Sequence, residues 1–193
     1  MFFRSLILVS FVATAIAIPL PSLLKRANAC FVTGSVALPA EVAAGVPALE
    51  QAVTCNTKIQ VAPGVPDITS GGIAYSTIDF QKSSLSPIGF ALATFPTPTD
   101  PATADLTTLQ NQLNDYLALE AGVRSQPDSS ALLAKLKGPK FFLQFQIARV
   151  QTANGVTLDA ADTVDHQLEK VTANAVGATA SELAQVNALA KQV

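Results

Sequence analysis

His166 is the one histidine in this 193-residue chain, so any Ser-His-Asp or Cys-His mechanism would have to run through it. It stands in sequence with Asp162, Asp165 and Glu169. At 100° per residue these four side chains fall within about a quarter turn of one helix. Groups spaced three and four apart in this way can hold a metal ion, as in zinc or di-iron sites, or give a hydrolase its acid and base. The arc lies away from the apolar stripe Leu158, Ala161, Val164, Leu168, Val171 and Ala175. A solvated acidic face with His166 paired to Asp162 therefore accounts for the group without any chemistry.

Other catalytic signatures are absent. No serine sits in G-x-S-x-G; Thr33-Gly34-Ser35 and Ser70-Gly71-Gly72 lack the second glycine at the required spacing. Neither glycine-rich phosphate loop occurs, and nothing in the pattern calls for a cofactor or a resident metal. Two carboxylates meeting in space would suffice for glycoside hydrolysis. The chain has no tryptophan, however, and only Tyr75 and Tyr116 as tyrosines, which leaves few platforms for sugar rings. Lys135, Lys137 and Lys140, with Arg149 beyond them, form the one local basic cluster. It reads either as an anion contact or as cations neutralising a helix carboxyl end, and the second reading is the simpler. Phe141, Phe142 and Phe145 read as core before they read as a ligand box.

The elements that would position these residues follow from periodicity. Phe31 to Leu38 is β-compatible. Ala40 to Thr54 carries the helical stripe Val42, Val46, Leu49, Val53 behind Pro39, with Pro47 as a kink. Thr57–Ala62, Gly72–Phe80 and Pro87–Phe95 read as strands, separated by turn-rich segments that include Pro63 to Asp67. Asp100 and Pro101 can start a helix running to Val123, with Leu106, Leu109, Leu113 and Leu117 on one face and Asn111, Asn114 and Asp115 on the other. A short helix over Ser130 to Leu136 is expected to stop at Gly138-Pro139. Lys140 to Gln151 then alternates as a half-exposed strand, with Phe141, Leu143, Phe145 and Ile147 facing one way. A helix over Asp159 to Ala175 follows, and a last one begins at the capping box Thr179-Ala180-Ser181-Glu182. The order β α β β β α α β α α predicts an α+β fold, an antiparallel sheet of about four to five strands with amphipathic helices packed on it.

The amino-terminal end carries addresses. Met1 to Arg4 and the apolar run Ser5 to Ile16 form a signal peptide over residues 1–17, with Ala15 and Ala17 as an A-x-A cleavage site. Residues 18–26 form a proline-containing pro-segment that ends at the dibasic pair Lys25-Arg26. Residues 27–193 are then one secreted globular domain, extracellular and without a membrane span. Removing the leader leaves nine Lys and Arg against fourteen Asp and Glu, a net charge of −5, which disfavours nucleic acid as a partner. Apolar residues make up 49% and charged residues 13%, the composition of a folded chain rather than a disordered one. Cys30 and Cys55 are the two cysteines, and an even count in an oxidising compartment predicts one disulfide.

The runs Ala29-Cys30-Phe31-Val32, Ala37-Leu38-Pro39-Ala40-Glu41-Val42 and Ala52-Val53-Thr54-Cys55 resemble an uncharacterised family of small fungal secreted proteins. That resemblance implies a fungal extracellular protein with its two cysteines bridged, and no catalytic residues. The functional expectation is a non-enzymatic protein that makes surface, partner or small-ligand contacts at a cell wall or host surface. The alternatives are a secreted hydrolase built on Asp162, His166 and Glu169, or a carrier for a small apolar ligand. Intact mass of the secreted protein tests the processing: a chain starting at Ala27, two hydrogens lighter than the dithiol, is expected, whereas one starting at Ile18 refutes the pro-segment.

Overall fold

The structure is a computed structural model that describes residues 29–193. The expected leader over 1–17, the 18–26 segment and the cleavage residues Ala17, Lys25 and Arg26 lie outside the described residues. Residues 31–38 form turns and bends instead of the expected strand. Their backbone is held by the end of a distant helix: Val36 donates to the Ser125 carbonyl at 2.9 Å, and the Gly34 amide donates to Ser125 Oγ at 2.9 Å. Phe31 goes fully into the core.

Helix α1 (Ala40–Ala52) starts behind Pro39, whose carbonyl accepts the amides of Val42 and Ala43. Pro47 lies inside it on the exposed side, while Val46 and Leu49 are buried. The helix passes straight into strand β1 (Val53–Ala62), so Cys55 is a strand residue rather than a helix end. The Cys30–Cys55 disulfide is present, with Cα atoms 6.0 Å apart, and it staples the first described residues onto that strand.

The chain reverses at Pro63-Gly64 into strand β2 (Val65–Ser70), where a loop was expected. Val53 faces Ser70 and Cys55 faces Ile68 in antiparallel register, with irregularities between Asn56 and Ala62. Gly71 and Gly72, both at positive φ, make the primed two-residue turn that matches strand twist, and strand β3 (Ile73–Ala74) returns along β2. The predicted Gly72–Phe80 strand thus shrinks to two residues, followed by 3₁₀ turns at 75–77 and 80–82. The fold is α+β as expected, but its sheet has three strands in the order β1-β2-β3, not four to five.

Two further predicted strands are helices. Helix α2 (Pro87–Thr94) replaces the third strand candidate because Ser86 caps it, its Oγ accepting the Gly89 amide at 2.9 Å with Pro87 at the first position. Burial follows the helical spacing of Ile88, Ala91 and Phe95, not the alternation. Asp100 and Pro101 start only a 3₁₀ turn at 101–103. Helix α3 (Leu106–Arg124) is capped by Asp105, which accepts the Thr108 amide at 3.1 Å.

The largest departure is helix α4 (Ser130–Ala153), whose 24 residues merge the expected short helix and the expected strand across Gly138-Pro139. Gly138 leaves room for α2, since a Cβ there would meet Pro87 Cβ at 3.2 Å. Helix α4 packs against α2 and α3 and, on a further side, against helix α5 (Val164–Ala173). It is therefore buried around most of its circumference, from Leu136 and Phe142 to Phe145 and Val150. A helix wanted apolar on every side carries no amphipathic stripe, and its sequence alternates by accident. Helix α6 (Ala180–Leu189) has the predicted capping box, with Thr179 and Glu182 bonded reciprocally at 2.7 and 3.2 Å. Glu182 also accepts Ser86 Oγ at 2.9 Å, which joins the starts of α6 and α2.

The strand reading turns Phe141 inward and Phe142 outward; the helix reverses them. Phe142→Ala is expected to cost about 3–5 kcal/mol and Phe141→Ala clearly less. Chemical denaturation of the two variants checks this, and the opposite ranking would restore the strand.

Candidate functional site

The structure does not gather the acid–histidine group into a site. Asp162 precedes α5 and is exposed, Glu169 is exposed, and His166 is half-buried with its backbone amide on the Thr163 cap. No hydrogen bond or ion pair joins the side chains of Asp162, His166 and Glu169. No group of three or more His, Cys, Asp or Glu among the described residues could hold a metal ion. Asp162 edges a hollow of about 220 Å³ with Gln110, Gln144, Gln151 and Gln167, but His166 and Glu169 do not reach it.

The basic cluster divides. Lys135 is exposed. Arg149, on α4 itself rather than on a following strand, is fully buried; it donates to the Leu189 and Gln192 carbonyls at 2.7 and 2.9 Å and to Thr97 Oγ1 at 2.7 Å. Its charge thus rests on carbonyls at the end of α6, where the helix dipole is negative. Lys137 and Lys140 turn to the opposite side, into a groove of about 610 Å³.

Three helices build that groove, each through residues three or four apart. Helix α1 supplies Val42, Gly45, Ala48, Leu49 and Ala52, with Glu41 at the rim; α3 supplies Asn114, Leu117, Glu120 and Arg124; α4 supplies Lys137, Lys140 and Phe141. Buried Glu120 accepts Lys140 Nζ at 2.7 Å on one oxygen, and Arg124 Nε and Nη2 at 3.0 and 2.9 Å on the other. The two cations hold the Glu120 carboxyl below its ordinary range although burial pushes the other way. Lys140 is also lowered: burial, with Arg124 and Lys137 repelling it, outweighs the pull of Glu120. Its Nζ sits 4.3 Å from the centre of the Phe141 ring, and Lys170 Nζ from α5 sits 5.8 Å from the same ring.

Behind the groove, α3 and β2 enclose a second polar group. Ser70 Oγ donates to Asn111 Oδ1 at 3.0 Å or to the carbonyl of groove residue Ala52 at 3.2 Å, and Asn114 Nδ2 donates to Ser70 Oγ at 3.2 Å. Asp67 is engaged by Ser76, through its amide at 3.0 Å and its Oγ at 2.6 Å. Asp115 was expected on the polar outer face of α3, but it is fully buried, and neither carboxylate oxygen has a hydrogen bond of normal geometry. Burial first and the nearby Asp67 second push the Asp115 carboxyl up to about 8, an effect that the Ser70 backbone amide only partly offsets.

Glu120, Arg124, Asp67 and Asp115 were not picked out from the sequence. Glu120 and Arg124 are four apart, an ordinary helix pair, and their meeting with Lys140 becomes visible only once 140–151 is read as helix.

Fold and site together define an α+β domain with one disulfide and an open groove, rimmed by cations, between three helices. The chain belongs to a family described as a domain of unknown function, DUF7143, whose model matches residues 32–193. No curated protein and no solved structure matches the chain.

The buried Asp115 makes stability depend on pH. Its carboxyl releases its proton near 3.8 when unfolded and near 8 when folded. Between those values the folded state binds the extra proton, so stability falls as pH rises, at up to about 1.4 kcal/mol per unit. Asp115→Asn, which keeps the shape without the titration, is expected to flatten that slope in denaturation series from pH 5 to 8. An unchanged slope would place the effect elsewhere.

Proposed function

We propose that this is a secreted, non-enzymatic protein that holds a small, largely apolar ligand in the groove between α1, α3 and α4. The observation that carries the reading is the groove itself. Its volume of about 610 Å³ lies in the range of small-molecule sites, and Val42, Leu117 and Phe141 stay half-exposed along its walls. Gly45 adds to this. It sits in the interior of α1, where glycine costs about 1 kcal/mol against alanine, and a Cβ there would meet no atom within 4 Å. The space beside Gly45 is therefore open along the α1 wall of the groove.

Secretion rests on the leader pattern of residues 1–26 and draws support from the Cys30–Cys55 bridge. A fungal origin rests on the resemblance of residues 29–55, and a place at a cell wall or host surface on the secretion reading and the bridge. The hydrolase alternative has no comparable support, because Asp162, His166 and Glu169 lie off the groove.

Titration with the neutral, polarity-sensitive dye Nile red tests the reading. Saturable one-to-one binding is expected, lost in Gly45→Leu, whose side chain projects into the groove. Gly45→Ala should keep binding and raise the melting temperature. A folded Gly45→Leu protein that binds the dye like wild type would overturn the proposal.

A further inference from the structure

The charge around this groove names the class of ligand, an inference that rests on the ligand-binding reading above. Of the nine Lys and Arg in the described residues, Arg124, Lys137 and Lys140 line the groove with Phe141, and Lys170 reaches the same ring from α5. Glu120 answers two of them, and it uses both of its oxygens to do so. Among the described residues Lys137 and Lys170 have no ion pair, and the acid at the rim, Glu41, has none either. With Arg124, Lys137 and Lys140 set against Glu41 and Glu120, the groove lining is net positive in a domain whose balance is −5. The rest of the surface therefore repels anions while this groove attracts them.

Donor capacity points the same way. Arg124 binds Glu120 through Nε and Nη2 only, and Lys140 through one contact, so Nη1 of the guanidinium and further ammonium hydrogens stay open. Glu120 itself shows that this corner accepts a carboxylate. The apolar surface continues from there along Leu117, Leu49 and Val42. We infer that the groove takes an amphiphile with one anionic head, its head group on Arg124 and Lys137 and its chain along the α1 wall. A carboxylate head matches the planar fork of Arg124.

Displacement of bound Nile red by decanoate, decanol and decyl phosphate, at low salt and at about 0.5 M salt, tests this. Decanoate is expected to displace the dye at a concentration at least about tenfold below decanol, with the advantage shrinking in high salt. Lys137→Gln, a partly exposed side chain without a hydrogen-bond partner, should fold as wild type and narrow the gap, and Lys137→Glu should close it. Equal displacement by decanoate and decanol, with the dye still excluded by Gly45→Leu, would overturn the anionic head and leave the ligand site standing. Failure of the dye itself to bind would remove both. Displacement by decyl phosphate well below decanoate would overturn the carboxylate assignment in favour of a phosphate head.

Discussion

The whole fold is organised by the need to bury one helix on nearly all its sides. Helix α4 carries Leu136, Phe142, Leu143, Phe145 and Val150 into the core, and no single neighbour can cover that circumference. Helix α3 covers one side, α5 another and α2 a third. The β-hairpin packs on the outer side of α3, and the disulfide fastens the first described residues to that hairpin. Gly138, which lets α2 approach, and Pro139, carried within the helix, are read best as concessions to this crowding.

Polar groups drawn into such a core must be compensated, and three solutions stand side by side. Lys140 is answered by Glu120, which Arg124 holds from the other side. Arg149 has no carboxylate; backbone carbonyls at the end of α6 and the Thr97 hydroxyl surround its guanidinium, and in doing so they pin the segment after α6 to the core. Asp115 has neither answer and retains its proton instead.

The first of these solutions is also what shapes the groove. Glu120 draws Lys140 and Arg124 together at its foot, while α1, tied through its own carboxyl end to Ser70, stands off from α4 with Gly45, Ala48 and Ala52 facing the gap. Ser70 is bonded in turn by Asn114, the neighbour of Asp115 on α3, so the floor of the groove and the buried acid share one stretch of that helix.

Features confined to one turn or one stripe were legible in the sequence. The Thr179–Glu182 capping box, the long helix through Leu109 and Leu113, the two-cysteine bridge and the α+β class all follow from residues that interact locally or from composition. Ser86-Pro87 was also a local signal, a cap followed by a first-turn proline, and the alternation of Ile88, Phe90 and Leu92 masked it. What lay beyond the sequence was decided by contacts across the fold. Residues 140–151 are helical because three helices surround them, which erases the periodicity that would have marked them. Asp115 is buried because β2 lies over a face of α3 that looks polar by itself. The groove exists only where α1, α3 and α4 fail to close, and a gap between elements leaves no trace in the pattern of any one of them.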